Sequence, residues 1–294
     1  MNSHVPFREL RWRSADGLRL YSRVYATAES AAPTVLCLAG LTRNSRDFEA
    51  LAPYLAKHYR VVCPDLRGRG RSQYDPQWQN YQPAVYLADL KGLCAELDLQ
   101  RVVVIGTSLG GLLAMLMAAS EPQSIAGIVL NDIGPEVDPL GLERIRSYAG
   151  QLPPVRTWDE AVEQLRAVYG QAWPDLTEEA WGRLARRSYR ADAAGIPRLD
   201  FDPAIGEMLR STGAAAQNLW SVFACLRSLP MLVIRGALSD ILAASTVQRM
   251  RREKPDLQSI TIANRGHAPL LDEPTAVTAI DRFLEGLGRA RAGP

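Results

Sequence analysis

The sequence predicts an α/β protein, a mostly parallel sheet with helices on both faces, and three observations carry that prediction. Short apolar runs rich in β-branched residues alternate with helical patterns from Thr34 to Leu130, and the alternation resumes at Met231. Such alternation is what a parallel sheet with crossover helices produces. The stretch from Val102 to Ser120 carries no charge and reads as a buried strand followed at once by a helix, with Gly106-Thr107-Ser108-Leu109-Gly110 at the join. Between Gly134 and Pro230 the alternation lapses and only helix signals appear, as expected of an insertion into the sheet unit.

Taken in order, Glu9–Arg13 and Leu18–Ala26 read as two strands joined at the turn signal Asp16-Gly17. The second alternates Leu18, Leu20, Ser22 and Val24 with larger polar and aromatic residues, as an edge hairpin would. Ala28 to Pro33 is a small-residue loop. Thr34–Leu38 is a buried strand, and Ser45 is placed to cap a helix through Phe48, Leu51 and Leu55. Tyr59–Cys63 is a further strand. The loop Asp65-Leu-Arg-Gly-Arg-Gly-Arg-Ser72 is rich in glycine but lacks the spacing and helix of a dinucleotide fingerprint. Its three arginines read as salt-bridged or solvated groups. Pro83–Leu97 reads as a helix and Ile125–Leu130 as a strand. In the insertion, Thr157-Trp158-Asp159-Glu160 is a capping box, Thr177 caps a second helix through Trp181 and Leu184, and Asn218–Leu229 suggests a third. Met231–Ile234, Ser245–Arg252, Leu257–Ile262 and a helix opened by Pro274 complete the pattern, with the end fraying from Gly288. The expected organisation is a core over residues 1–133 and 230–294, with a helical insertion over 134–229.

Composition narrows the function classes. The 294 residues are 47% hydrophobic and 22% charged, with a net charge of +2. These values give no signal for a nucleic-acid or membrane partner. The beginning of the chain has no apolar run of the signal-peptide kind, and Cys37, Cys63, Cys94 and Cys225 show no metal-ligand or C-x-x-C spacing. Buried reduced thiols in a cytoplasmic protein, with no metal and no cofactor, are the expectation. Oligomeric state is not legible.

Gly106-Thr107-Ser108-Leu109-Gly110 fits G-x-S-x-G in the strand–turn–helix setting that makes the serine a nucleophile. A serine hydroxyl needs a base, and the base needs an orienting acid. Functional groups on a parallel sheet gather outside the carboxyl ends of its strands. Of the three histidines, His4, His58 and His267, only His267 follows a strand closely. Asp240 and Asp132 both follow strands. Asp240, nearer His267 in sequence, is the preferred acid, and Asp132 the alternative. Backbone N–H groups of Leu109 and of Leu41, the latter in the loop after Thr34–Leu38, are the expected oxyanion donors.

These residues together resemble the α/β-hydrolase fold superfamily. The resemblance runs through Gly106–Gly110, the Asp65–Ser72 loop, Arg235-Gly-Ala-Leu-Ser-Asp240 and Gly266-His267, in the order Ser–Asp–His. It implies an eight-stranded sheet with a helical cap inserted after the sixth strand, and an active site between cap and sheet. Ala39-Gly40 stands where many relatives have His-Gly, and there is no His-Gly-Gly-Gly run. Ser108 at the apex sets the chain apart from branches with an aspartate there. The function so indicated is hydrolysis of a small-molecule ester or lactone through an acyl-enzyme on Ser108. C–C bond hydrolysis of a β-diketone-like compound, acyl transfer, and slow-turnover binding of a small signal molecule are the alternatives. Tryptophans and Met208 in the insertion point to an apolar pocket, and Arg43 and Asn44 to a polar substrate contact.

Overall fold

Eight strands form one sheet in the order β1 (Arg8–Arg13), β2 (Arg19–Tyr25), β4 (Val61–Asp65), β3 (Thr34–Leu38), β5 (Val102–Thr107), β6 (Ile125–Asn131), β9 (Met231–Gly236) and β10 (Gln258–Ile262). The computed structural model describes residues 6–26, 33–211 and 218–292. His4 and most of the loop Ala28 to Pro33 lie outside the described residues. Strand β2 runs antiparallel to both β1 and β4, and the other pairings are parallel.

Because side chains alternate along a strand, the central strands supply two cores. Val35, Cys37, Val103, Ile105, Leu232 and Ile234 face one side. There they pack on α1 (Leu51–Leu55) and on Ile280, Phe283 and Leu284 of α10 (Pro274–Ala292). Leu36, Leu38, Val104, Ile128, Leu130 and Val233 face the other. They meet α2 (Pro83–Glu96), α3 (Leu109–Ser120) and Met250 of α9 (Ala244–Glu253).

The segment between β6 and β9 holds α4 (Pro139–Tyr148), α5 (Trp158–Tyr169), α6 (Glu178–Ser188), α7 (Ala204–Ser211) and α8 (Trp220–Cys225). It also holds a short antiparallel pair, β7 (Tyr189–Ala191) with β8 (Pro197–Leu199). Thr157 and Thr177 cap α5 and α6 as expected, each accepting a backbone N–H. The capping box is incomplete, because Glu160 accepts from the Arg156 amide instead of that of Thr157. Trp173, Trp181, Leu165 and Leu184 form a separate small core. The pair β7–β8 was not expected from the sequence. Its strands are three residues each, too short to show a period of two.

Other differences have local causes. Asn44, not Ser45, caps the turn after β3, accepting from the Arg46 amide. The expected single helix is split into a 3₁₀ turn, Ser45–Phe48, and α1. Pro53 lacks the amide that a continuous helix would direct to the Glu49 carbonyl. Helix α10 continues through Gly288 to Ala292 rather than fraying. Helix α8 ends at Cys225, short of Leu229, and leaves that thiol exposed, while Cys37 and Cys63 are buried and Cys94 half-buried. All four cysteines are free. No helix among the described residues is long and apolar enough to cross a membrane.

The Asp65–Ser72 loop is structural. The Arg67 guanidinium, 1% exposed, donates to Asp89, Asp75 and Asp16 at 2.6–3.2 Å. The Arg69 side chain donates to the carbonyls of Leu41 and Arg67 and to the Tyr86 hydroxyl. Arg71 pairs with Glu9. The loop also fastens the inserted segment, since the Gly70 amide donates to the Asp200 carbonyl and the Asp202 amide to the Gly68 carbonyl.

Candidate active site

Strand β5 ends at Thr107 and α3 begins at Leu109, leaving Ser108 alone at the apex with φ +52° and ψ −115°. A serine pays strain for that conformation and gains a hydroxyl thrust clear of both elements. The flanking glycines are required by contact. A Cβ on Gly106 would lie 2.4 Å from the Gly110 backbone, and one on Gly110 would lie 2.1 Å from the Leu38 carbonyl oxygen. Backbone on both sides leaves nothing able to yield, so Gly110→Ala is expected to lower stability by about 1–3 kcal/mol or more, read as a lower urea midpoint with unchanged slope.

His267 lies in the loop after β10, 8% exposed. Its Nε2 is 2.9 Å from the Ser108 Oγ and its Nδ1 is 2.9 Å from Asp132 Oδ2. Asp132 follows β6 directly and is fully buried. Its Oδ1 accepts from the Gly236 amide at 2.8 Å and its Oδ2 from the Ser239 hydroxyl at 2.5 Å. The Gly236 amide, the Ser239 hydroxyl and the His267 ring thus fix the position of the carboxylate.

The structure corrects the choice of acid. Asp240 does not meet His267; its carboxylate is held by the Arg144 guanidinium of α4 at 2.5 and 2.9 Å, with 41% of the side chain exposed. Burial raises the Asp240 carboxyl, but Arg144 outweighs it and holds the group below the usual range. Asp132, the alternative, is the carboxylate at hydrogen-bond distance. The loop after β9 still serves the site, because Gly236 and Ser239 from it support Asp132. Proximity in sequence was the misleading signal, since β6 and β9 are adjacent in the sheet and both strand ends lie near His267.

Leu41 and Leu109 flank Ser108, and neither amide donates a hydrogen bond to a described residue. Two open backbone donors beside a nucleophile are the form an oxyanion hole takes. The Leu41 loop is fixed by Arg69, read from the sequence as salt-bridged or solvated: it is fully buried and donates to the Leu41 carbonyl at 2.5 Å. His58 is exposed on the turn after α1, away from this group. Arg43 lines the cavity at Ser108, as expected, but Asn44 does not; its amide donates to the Arg187 carbonyl. Among the described residues no group of three or more His, Cys, Asp or Glu side chains could hold a metal ion.

Two cavities meet at Ser108, both roofed by the inserted segment. One, about 90 Å³, includes His267, Arg43, Trp173 and Arg187. The other, about 410 Å³, includes Leu112, Val137, Leu142 and Met208. Trp158 and Trp181 instead pack within the insertion's own core, and Trp220 packs against the sheet-side core.

Comparison with known proteins agrees with this architecture. The model of the alpha/beta hydrolase fold family matches residues 33–274. A 3-hydroxybutyrate-oligomer hydrolase from Cupriavidus necator is 33% identical over 88% of this chain and 90% of its own. A 2-(acetamidomethylene)succinate hydrolase from Mesorhizobium japonicum is 24% identical over 81% of this chain and 83% of its own. The crystal structure of an alpha/beta hydrolase from Novosphingobium aromaticivorans superposes with a TM-score of 0.90 at 47% identity, covering 95% of this chain and 98% of that one.

Proposed function

Since the chain belongs to the alpha/beta hydrolase family, and is therefore read as a hydrolase, we propose that it cleaves a small-molecule carboxylic ester through an acyl-enzyme on Ser108. The observation that carries the reading is the line Ser108 Oγ–His267 Nε2 and His267 Nδ1–Asp132 Oδ2, both at 2.9 Å. His267 takes the Ser108 proton as Oγ attacks the ester carbonyl. Asp132 holds the proton on Nδ1, keeps Nε2 basic and balances the charge on the imidazolium. The amides of Leu41 and Leu109 receive the developing oxyanion. His267 then returns its proton to the leaving alkoxide, the alcohol departs, and water activated by His267 releases the acid from Ser108.

The residues between 134 and 229 act in this reading as a cap that encloses the substrate. A 3-hydroxybutyrate oligomer, the substrate in the relative's name, consists of hydroxyacid units joined by esters, so ester cleavage is the chemistry it would ask of this site.

Ser108→Ala is expected to lower kcat on p-nitrophenyl esters by about 10⁴-fold or more. A fluorophosphonate probe is expected to label the wild-type protein at Ser108 and to leave the variant unlabelled. Ester hydrolysis persisting at the wild-type rate in the variant would overturn the proposal.

A further inference from the structure

We infer that the substrate is an ester with a long apolar acyl group and a compact leaving alcohol that carries a carboxylate, its two halves sorted by the two cavities at Ser108. The inference rests on the reaction proposed above, and the geometry of that reaction assigns the halves. In the tetrahedral intermediate the leaving oxygen must lie beside His267, which protonates it. The acyl substituent, attached to the same carbon, points elsewhere. His267 lines the 90 Å³ cavity and is not on the wall of the 410 Å³ one. The smaller cavity therefore receives the leaving alcohol and the larger the acyl chain.

The chemistry of the walls then specifies each half. In the larger cavity, Leu109, Leu112, Val137, Leu142, Met208 and Leu219 present hydrocarbon. Its polar side chains are already engaged: Tyr81 with Asp202, Tyr86 with Arg69, and Arg146 with Glu143 and the Leu209 carbonyl. A polar acyl chain would lose water there without finding a partner.

The smaller cavity holds two guanidinium groups in different states. Arg43 is satisfied by Asp47 and the Ser188 hydroxyl. Arg187 is 8% exposed, yet its side chain makes no hydrogen bond to a described residue, and its nearest carboxylate, Glu49, is 3.9 Å from Nε. A guanidinium carries five donors in a planar fork matched to a carboxylate. No Arg187 nitrogen is both buried and without a partner, so its open donors face solvent, and a carboxylate on the leaving group replaces that water with a charge-matched acceptor. The limited volume keeps this half short.

The test compares hexanoyl glycolate with its neutral isostere, hexanoyl glycolamide, and with acetyl glycolate. Each is assayed for release of the carboxylic acid by chromatography. Wild type is expected to favour the glycolate over the glycolamide by tenfold or more in kcat/KM. In Arg187→Gln that ratio is expected to fall to near one, and in Arg187→Lys to be largely kept. Hexanoyl over acetyl is expected to exceed tenfold in wild type and to reverse in Leu142→Trp, which fills the larger cavity. A glycolate-to-glycolamide ratio near or below one in wild type would overturn the inference, as would a ratio unchanged by Arg187→Gln in a protein with a native melting curve. Should Arg187→Gln not fold, the wild-type ratio and Arg187→Lys decide. Ser108-dependent turnover of both esters at equal rates sinks this inference alone. Absence of Ser108-dependent turnover of any ester sinks the proposed reaction instead.

Discussion

Asp132→Asn will lower kcat by about 10⁴-fold, the loss expected when a catalytic histidine is put in the wrong tautomer, while Asp240→Asn will stay within about threefold of wild type. The asymmetry follows from the hydrogen bonds. Asp132 Oδ1 accepts from the Gly236 amide, so in the variant the asparagine oxygen occupies that position. Its NH₂ then faces His267 Nδ1 and donates to it, which drives the imidazole proton onto Nε2. An Nε2 that carries a proton cannot take the one on Ser108. Asp240 has no such bond, and its pair with Arg144 is an exposed one of the kind worth about 0–1 kcal/mol. Steady-state kinetics on one activated ester, with far-ultraviolet circular dichroism to show that both variants fold, decides the matter. Equal losses in the two variants would mean that Asp240 reaches His267 during turnover.

The second large effect is on stability. Arg67→Met will destabilise the protein by about 3–5 kcal/mol at neutral pH, since it removes the only cation from a buried group and leaves carboxylates uncompensated. Arg67 bridges Asp89 and Asp75, both 4% exposed in their side chains, to Asp16 on the β1–β2 turn. Burial already pushes the Asp89 carboxyl up, with Arg67 pulling it back. Hydrogen bonding from Arg67, with help from Ser14, brings Asp16 down to about 2. The signs differ accordingly. In wild type, the Asp16 contribution is present above its ordinary value near 3.8 and is lost as pH falls toward 2. In the variant, Asp89 rises further above its unfolded value, so the deficit grows as pH rises through the acid range. Urea melts at pH 4 and pH 7 are expected to show a larger wild-type-to-variant gap at pH 7. A gap independent of pH would show that the loss is one of packing alone.

The parallel sheet was legible because buried strands such as Val102–Thr107 and Ile125–Asn131 are continuous apolar runs, and the proposed nucleophile because Gly106 is dictated by the backbone of the following helix turn and Gly110 by the backbone of β3 at Leu38. His267 was legible by scarcity. The acid was harder to read, because Asp132 and Asp240 follow neighbouring strands and differ only in which way their loops turn. Asp132 takes φ +55°, a backbone detail with no sequence marker in an aspartate. Arg69 and Arg187 were hidden for another reason. Each acts through groups distant in sequence, Leu41 in one case and the cavity wall in the other, and an arginine in a loop or on a helix gives no sign of being buried. Helices α4 and α7 were missed where the hydrophobic period is interrupted by Arg144, Arg146 and Arg210, which bond outside their helices to Asp240 and to the carbonyls of Leu209 and Ala149.

The inserted segment is tied down around its edge. Besides its bonds to Gly68 and Gly70, Arg46 donates to the carbonyls of Arg186 and Tyr189, Arg144 grips Asp240, and the Trp173 indole and Ala172 carbonyl hold the chain on either side of His267. These bonds anchor the described part of the segment to the core at several separate points. In the reaction proposed for Ser108, such anchoring makes turnover depend on the girth of the molecule that reaches the serine rather than on the viscosity of the solvent outside.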